Sequence, residues 1–182
     1  CGSLGCRHAV LRWSGWDGTG NLQDQARRAR KRLIGGWAAE NDIAVVATGH
    51  TLDDQAETFL IRLARGSGVD GLSAMFDSEL FNDIRWVRPL LAVSRADLRS
   101  YLLAKGIGWA EDPSNLDPAY ARIRFRQAAE QLAVLGLDAK TLAATAGRMQ
   151  RARHALELAT RDLAGSMELV PEKARRFTLE FF

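Results

Sequence analysis

The stretch that decides the fold is Ile43-Ala-Val-Val-Ala-Thr48, followed directly by Gly49-His-Thr-Leu-Asp-Asp-Gln-Ala-Glu-Thr58. The first six residues form a continuous apolar run of strand length, which is typical of a strand buried on both faces of a parallel sheet. Thr51 and Asp54 have the spacing of a capping box, so a helix is predicted from Thr51 to near Gly66. A strand that leads straight into a helix is one half of an α/β repeat.

The same alternation precedes this stretch. His8 to Trp13 has the composition of a short strand and is followed by a Gly-rich segment, and Asn21 is a predicted N-cap for a helix that runs to about Glu40. Strand, helix, strand, helix predicts an α/β fold with a partial, doubly wound parallel sheet. Ligands bind such sheets at the carboxyl ends of the strands, which is where Thr48-Gly49-His50 lies.

The part of the chain after Gly66 contains further elements and a growing share of helix. The patterns predict a loop to Met75, a strand from Ile84 to Leu91, a helix capped by Ser94 and Asp97 that ends near Gly106, turns over residues 111–118, helices from Tyr120 to about Leu135 and from Ala139 to about Ala164, and a strand from Phe177 to Phe182. We therefore expect an α/β part over residues 1–127 and the start of a helical domain over residues 128–182.

Length and composition exclude several classes of protein. The chain has 182 residues, of which 47% are hydrophobic and 26% charged, so it can form a core without a disulfide framework and disorder is not expected. No apolar run approaches the roughly 18 residues that a membrane span needs. Lys and Arg number 25 against 22 acidic residues, and the middle of the chain is acidic between basic flanks. That layout suits a metal or cation site beside a surface that binds a polyanion, although a soluble enzyme with random charge would look similar.

Cysteine use points to a reducing, cytoplasmic setting. Cys1 and Cys6 are the two cysteines, and their spacing alone is not a zinc signature. The chain does not begin with Met and shows no secretory signal pattern. We expect it to be part of a longer protein.

One cluster of residue types is suited to chemistry. A helix that begins at Thr51 places His50, Asp54 and Glu57 at i, i+4 and i+7 on one face. Carboxylate oxygens suit Mg²⁺, and a helix amino terminus favours anions, so this is a natural site for a nucleotide phosphate and its metal. Capping explains Asp54 by itself, but it does not explain Glu57 or His50.

Arginines supply candidate anion contacts. Arg65 stands at a predicted helix end beside Gly66-Ser-Gly68, where side chain and backbone amides could bind phosphate, although a helix cap explains the same pattern. Arg27 and Arg30 lie one turn apart. A third group has Arg at alternate positions, which is more often a solvated face; its members are Arg122, Arg124 and Arg126.

Taken together, the motifs resemble the tRNA(Ile)-lysidine synthetase family. The resemblance rests on Gly49-His-Thr-Leu-Asp-Asp-Gln-Ala-Glu-Thr58 and on Arg65-Gly-Ser-Gly-Val-Asp-Gly-Leu-Ser-Ala-Met75. Further support comes from Arg88-Pro-Leu-Leu91 with Ser94-Arg95, Trp109-Ala-Glu-Asp-Pro-Ser-Asn115 and Tyr120-Ala-Arg122. The first motif alone is typical of the wider PP-loop ATP pyrophosphatases, whereas the second and the Glu-Asp-Pro-Ser-Asn motif are more specific. The resemblance covers about residues 6–135.

The resemblance implies an adenine nucleotide alpha hydrolase-like sheet and an enzyme that forms lysidine. ATP with Mg²⁺ would adenylate the position-two carbonyl of the wobble cytidine in the tRNA(Ile) with a CAU anticodon, and free L-lysine would then displace AMP. Residues 1–127 would be the C-terminal part of the catalytic domain, and the family's organisation allows a homodimer.

The same resemblance assigns roles to residues of this chain. It places His50, Asp54, Glu57 and Arg122 in the catalytic centre, with Asp54 and Glu57 as ligands of metal or lysine. The best candidates for contacts to ATP or to the adenylated tRNA are Arg27 or Arg30, together with Arg122. Arg65 stays the phosphate contact that its place at a helix end predicts.

The family's phosphate loop, Ser-Gly-Gly-x-Asp-Ser, does not occur in this sequence, and Ile123 and Lys31 stand where the family usually has Asn and Tyr. We therefore expect the 182 residues alone to bind no ATP productively. Two other functions stay open. One is a PP-loop tRNA enzyme of the cytidine thiolase type, which the cysteines suit poorly, and the other is a non-catalytic RNA-binding paralogue.

Overall fold

The computed structural model describes residues 5–16, 18–20, 22–110 and 121–166. Its elements are α1 (Leu22–Glu40), β1 (Val45–Ala47), α2 (Leu52–Ala64), α3 (Val69–Leu72), β2 (Ser78–Phe81), β3 (Ile84–Val87), α4 (Arg95–Ala104), α5 (Ala121–Gln127), α6 (Ala129–Val134) and α7 (Ala139–Ser166). They form two compact units. The sheet unit comprises the described parts of Cys1–Thr48 and Ser78–Val87, and the helical unit those of Gly49–Asp77 and Arg88–Phe182.

The sheet unit contains a three-stranded sheet in the order β1-β3-β2. β1 is parallel to β3, and β2 pairs antiparallel with β3 through a tight turn at Asn82 and Asp83, which both have positive φ. Positive φ at both turn residues matches the right-handed twist of the two strands, and Asn and Asp tolerate it. α1 covers one face of the sheet, where Ala38 packs against Ile84 and Trp86. The predicted α/β class is confirmed, with a mixed sheet that includes an antiparallel hairpin.

Two predictions in the sheet unit were wrong. His8 to Trp13 forms no strand and is almost wholly exposed, because no described strand offers its backbone a hydrogen-bonding partner. The apolar run at residues 43–48 yields only a three-residue strand, and Val45 is 52% exposed. β1 pairs with β3 alone among the described strands, so it is an edge strand and is not buried on both faces. The predicted helix end at Glu40 is confirmed.

The helical unit is built around α2 and α7. Its core contains Ala56, Phe59, Ala74, Leu142 and Ala146. Small residues from both helices leave room for the Phe59 ring at the contact. Gln55 then ties α2 to the following loop, since its side-chain amide donates to the Met75 carbonyl at 2.8 Å and accepts from the Met75 N–H at 2.9 Å.

The predicted helices of this unit are largely confirmed. α2 begins after Thr51, α4 begins after the Ser94 cap, and α7 runs from Ala139 to Ser166. The helix predicted from Tyr120 is interrupted at Ala128, which separates α5 from α6. The predicted loop after Gly66 contains the short helix α3, and the predicted strand to Leu91 ends at Val87.

Some predictions fall outside the described residues, namely the Asn21 cap, the turns at 111–118 and the strand at 177–182. The boundary at residue 127 stays a prediction. None of the described helices combines the length and the hydropathy that crossing a membrane requires.

Candidate active site

The amino end of α2 is fixed by the predicted capping box. The Asp54 carboxylate accepts through Oδ2 from the Thr51 N–H at 2.8 Å and from the Thr51 hydroxyl at 2.6 Å. The Asp54 N–H in turn donates to Thr51 Oγ1 at 3.4 Å. Thr51 is buried, so this cap holds one oxygen of Asp54 in a defined position.

Asp54 and Glu57 lie one turn apart on α2 and share a single guanidinium. Arg95 donates from Nη2 to Asp54 Oδ1 at 2.6 Å and from Nη1 to Glu57 Oε1 at 2.9 Å. Arg126 on α5 donates from Nε to the same Glu57 oxygen at 3.0 Å. We call Asp54, Glu57, Arg95 and Arg126 the acid–arginine cluster.

The backbone of α4 is tied to the same end of α2. Arg95 is the first residue of α4, and its N–H donates to Asp53 Oδ2 at 2.8 Å. The Ser94 side chain caps α4 by accepting from the Asp97 N–H at 3.0 Å. The Ser94 hydroxyl in turn donates to Asp97 Oδ2 at 2.6 Å, so the predicted cap residue is confirmed. Asp53 therefore joins the two helices.

Burial makes the cluster's charges depend on one another. The Glu57 side chain is 7% exposed and that of Asp54 is 17% exposed, against 27% for Arg95. Burial would raise the pKa of Asp54, but hydrogen bonds from Thr51 and the Arg95 guanidinium hold that pKa below its ordinary value. Burial would lower the pKa of Arg95, but Glu57 and Asp54 raise that pKa above its ordinary value. All of these contacts favour the charged forms of Asp54 and Arg95.

One buried oxygen of the cluster has no partner among the described residues. Glu57 Oε2 is inaccessible to solvent and makes no hydrogen bond to any of them, whereas Glu57 Oε1 accepts from two arginines. An unsatisfied acceptor on a buried carboxylate costs free energy unless a donor or cation reaches it. The cluster is thus equipped to accept one further donor at this oxygen.

The described residues do not present an open divalent metal site. Among them, no group of three or more His, Cys, Asp or Glu side chains could together hold a metal ion. Both oxygens of Asp54 and one oxygen of Glu57 are already hydrogen-bonded, and two guanidiniums lie against the pair. Because Mg²⁺ requires several oxygen ligands, the pair as arranged does not fit the predicted metal role.

The other residues predicted for the site lie in different settings. His50 is half-buried in the segment just before the Thr51 cap. Arg27 and Arg30 are exposed on α1 in the sheet unit, and Arg65 and Arg122 are exposed in the helical unit. Among the described residues none of these four arginines forms an ion pair with a carboxylate. The structure brings Asp54 and Glu57 together, and it does not by itself assign roles to the others.

A neighbouring arginine, Arg62, binds backbone carbonyls of the segment that follows α2. Arg62 donates from Nη1 to the carbonyls of Gly71 and Ala74 at 2.8 and 2.9 Å. It therefore organises the loop that follows α2. The Arg65 N–H closes the helix end by donating to the Arg62 carbonyl at 3.1 Å, as a cap would.

Arg95 was noted in the sequence only as part of a family motif, and no role in the site was predicted for Arg95 or Arg126. A usable signal existed for Arg95, because it directly follows a predicted N-cap. A cation in the first turn of a helix is disfavoured by the helix dipole, so an arginine there indicates a compensating acidic partner. Arg126 belongs to the alternating arginine run, and that pattern does not indicate which of its members contacts a carboxylate.

Comparison with known proteins places this geometry in a family. A chain from Ruegeria pomeroyi with the name tRNA(Ile)-lysidine synthase is 54% identical over 164 residues, covering 88% of this chain and 39% of the relative. Proteins of the same name from a Bradyrhizobium species and a Methylobacterium species are 45% and 37% identical, covering 85% and 98% of this chain and 43% and 52% of those relatives. The chain thus spans about half the length of these relatives or less.

A solved structure shows the same fold. The U34-tRNA thiolase NcsA from Methanococcus maripaludis, determined with its [4Fe-4S] cluster, matches with a TM-score of 0.58 at 15% identity, over 75% of this chain and 46% of that one. At that identity the likeness concerns the fold alone. The predicted resemblance to lysidine synthetases is confirmed by the sequence relatives, and the PP-loop domain family matches residues 1–132. Since that match covers well over half of its 182 residues, the chain belongs to the PP-loop domain family.

Proposed function

We propose that the chain is part of an enzyme that ligates lysine to the wobble cytidine of the tRNA(Ile) with a CAU anticodon. The observation that carries the proposal is the acid–arginine cluster at the amino end of α2, in a chain up to 54% identical to proteins with the name tRNA(Ile)-lysidine synthase. Asp54 and Glu57, the two carboxylates of the sequence motif, are the buried centre of that cluster.

The proposed reaction has two steps. The position-two carbonyl oxygen of the cytosine attacks the α-phosphate of ATP, so that diphosphate leaves and an O-adenylated base forms. The amine of free L-lysine then attacks the same ring carbon, loses a proton and displaces AMP, which forms the new C–N bond of lysidine. Both steps develop charge that a preorganised polar site can stabilise.

The cluster's residues suit the lysine side of this reaction. Glu57 Oε2 is an acceptor with no partner among the described residues, and an ammonium or amine N–H is the kind of donor that it can accept from. Asp54 is held ionised by Thr51 and Arg95, so it adds negative charge next to Glu57 without needing to move. These features support Asp54 and Glu57 as the residues that orient the nucleophile, while His50 stays a further candidate for the same centre.

The nucleotide and RNA contacts remain part of the proposal. Arg27, Arg30, Arg65 and Arg122 are exposed, which leaves their guanidiniums accessible to phosphates of ATP or tRNA. Mg²⁺ would accompany ATP and supply charge neutralisation at the phosphates when bound. We assign no step to the metal, because the described carboxylate pair has one unpaired oxygen, Glu57 Oε2, whereas Mg²⁺ requires several oxygen ligands.

The proposal concerns a protein longer than this chain. The relatives are about twice its length or more, and Ser-Gly-Gly-x-Asp-Ser does not occur in its sequence. We expect the 182 residues alone to form no lysidine. A cytoplasmic location and a homodimeric state of this protein likewise stay expectations from its sequence.

The test is lysine incorporation by the full-length protein. Purified protein is incubated with ATP, labelled lysine and transcribed tRNA(Ile) with a CAU anticodon, with a second tRNA species and an ATP-free reaction as controls. We expect label to enter only the first tRNA, only with ATP, and with AMP as a product. Sulfur incorporation in a parallel assay with a sulfur donor would instead support the thiolase alternative. Tight tRNA binding without any modification would support the non-catalytic alternative.

A further inference from the structure

Arg95 occupies a position that is unfavourable for a cation unless something compensates. It is the first residue of α4, where the helix dipole presents positive potential. Three acidic side chains of α2 meet it there. Asp53 accepts from its N–H at 2.8 Å, Asp54 from Nη2 at 2.6 Å and Glu57 from Nη1 at 2.9 Å. α4 is thus anchored to α2 by both the backbone and the side chain of one residue.

The guanidinium spans two carboxylates at once. Its planar fork presents parallel N–H groups, one to each acid, which an ammonium on a flexible stem cannot reproduce. The Thr51 cap already holds the other oxygen of Asp54. Asp54 therefore has both oxygens fixed by contacts, one from the cap and one from Arg95.

Unlike Asp54, Glu57 is held through only one of its two carboxylate oxygens. Its Oε1 accepts from Arg95 and Arg126, whereas its buried Oε2 has no partner in the part of the chain that the structure describes. A carboxylate with one oxygen held by two charged donors is restricted in rotation, so its second oxygen keeps one direction. A rotamer change that gave both oxygens to the arginines would remove that open acceptor.

From these contacts we propose that Arg95 is a positioning residue, which holds Asp54 and Glu57 so that the buried Glu57 Oε2 keeps the acceptor position that a donor of the reacting molecules would fill. The inference rests on the proposed function for the identity of the reaction. In this role Arg95 acts through the two carboxylates. Removing a group that orients reactive side chains in this way typically lowers activity by about 10- to 100-fold.

The experiment compares Arg95→Gln, Arg95→Lys and Arg95→Ala with Arg99→Gln in the full-length protein. Arg99 lies one turn further along α4, where its guanidinium is 5.6 Å from the Trp109 ring centroid, so it is a matched control on the same helix. Lysine-dependent kcat and KM are measured below the melting temperature of every variant, and Arg95→Ala is assayed with and without added guanidinium ion.

We expect Arg95→Gln and Arg95→Ala to lower kcat by about 10- to 100-fold, with Arg95→Lys also impaired and Arg99→Gln within about twofold of wild type. Guanidinium should restore part of the kcat of Arg95→Ala, which a merely structural defect would not allow. Wild-type kcat in Arg95→Gln or in Arg95→Lys would overturn the proposal. A loss in Arg95→Ala with no rescue at any guanidinium concentration that leaves the wild type active would also overturn it.

The positioning role of Arg95 and the proposed function can be contradicted by different results. If the wild-type protein incorporates no lysine, that result contradicts the proposed function and leaves the positioning role to be tested in another way. The positioning role is then read from the 182-residue chain by following the Glu57 side-chain carboxyl carbon by NMR in selectively labelled protein. Arg95→Gln should change the Glu57 carboxyl signal relative to the wild type, and Arg99→Gln should leave it unchanged. A Glu57 signal in Arg95→Gln identical to that of the wild type would overturn the positioning role.

Discussion

The amino end of α2 and the amino-terminal half of α1 both carry clustered charge, but only the first is an organised site. At α2, Asp54 and Glu57 are buried and held by Arg95 and Arg126 over distances of 2.6 to 3.0 Å. At α1, Arg27 and Arg30 are exposed and pair with no described carboxylate. Opposite charges in a buried setting fix one another's geometry, whereas like charges in solvent acquire a geometry only when a ligand arrives.

The largest expected difference between the two regions is in stability. The double variant Arg95→Ala with Arg126→Ala leaves Glu57 buried and without its paired cations, so its unfolding free energy should fall by about 3–5 kcal/mol. The matched double variant Arg27→Ala with Arg30→Ala removes two exposed charges. Each of these substitutions should change the unfolding free energy by no more than about 0.5 kcal/mol. Urea denaturation of the 182-residue chain measures both. Equal losses in the two double variants would contradict the contrast between the regions.

A smaller effect is expected from the cap of α2. Thr51→Val keeps the shape of a buried side chain and removes the hydroxyl that caps the helix and donates to Asp54, at a cost of about 1–2 kcal/mol near neutral pH. Thr145→Val is the control, since that hydroxyl donates to the Thr141 carbonyl at 2.9 Å and accepts from Arg148 Nη1 at 3.4 Å, both within α7. We expect the control to change stability by less than about 0.5 kcal/mol.

The sign of the pH dependence follows from Asp54. Its pKa is lowered in the folded chain, so its contribution to stability is present above the unfolded pKa of 3.8 and is lost as the pH falls through the folded pKa. Removing the Thr51 hydroxyl removes part of that contribution. The gap between wild type and Thr51→Val should therefore narrow between neutral pH and about pH 3. A gap that widens on acidification would show that Asp54 is not the linked group.

Features that depend on contacts close in sequence were predicted, whereas the contacts that organise the amino end of α2 were not. The Thr51 and Asp54 cap, the Ser94 cap and the course of α7 depend on contacts within four residues or on helical periodicity, and each was predicted from those signals. The Arg95 contacts join residues 38 and 41 positions apart, so no local spacing could reveal them. That distance is why the two carboxylates were found and their cations were not.

The sheet was predicted less well for a related reason. A strand is defined by its partners, and His8 to Trp13 has strand composition but no described partner. β2 was missed because Ser78-Glu-Leu-Phe81 is short, although the turn at Asn82-Asp83 was an available signal. The α/β class was predictable because the β1–α2 junction is local, while the order and exposure of the strands depend on contacts distant in sequence.

The central claim is that Asp54 and Glu57 form the reaction centre of a lysidine-forming enzyme. The most direct measurement is labelled-lysine incorporation into the tRNA(Ile) with a CAU anticodon by full-length Asp54→Ala and Glu57→Ala, with Glu130→Ala as a control at an exposed acid on α6. We expect losses of about 100-fold or more for the first two variants and activity within about twofold for the control. Incorporation at the wild-type rate by both Asp54→Ala and Glu57→Ala would contradict it.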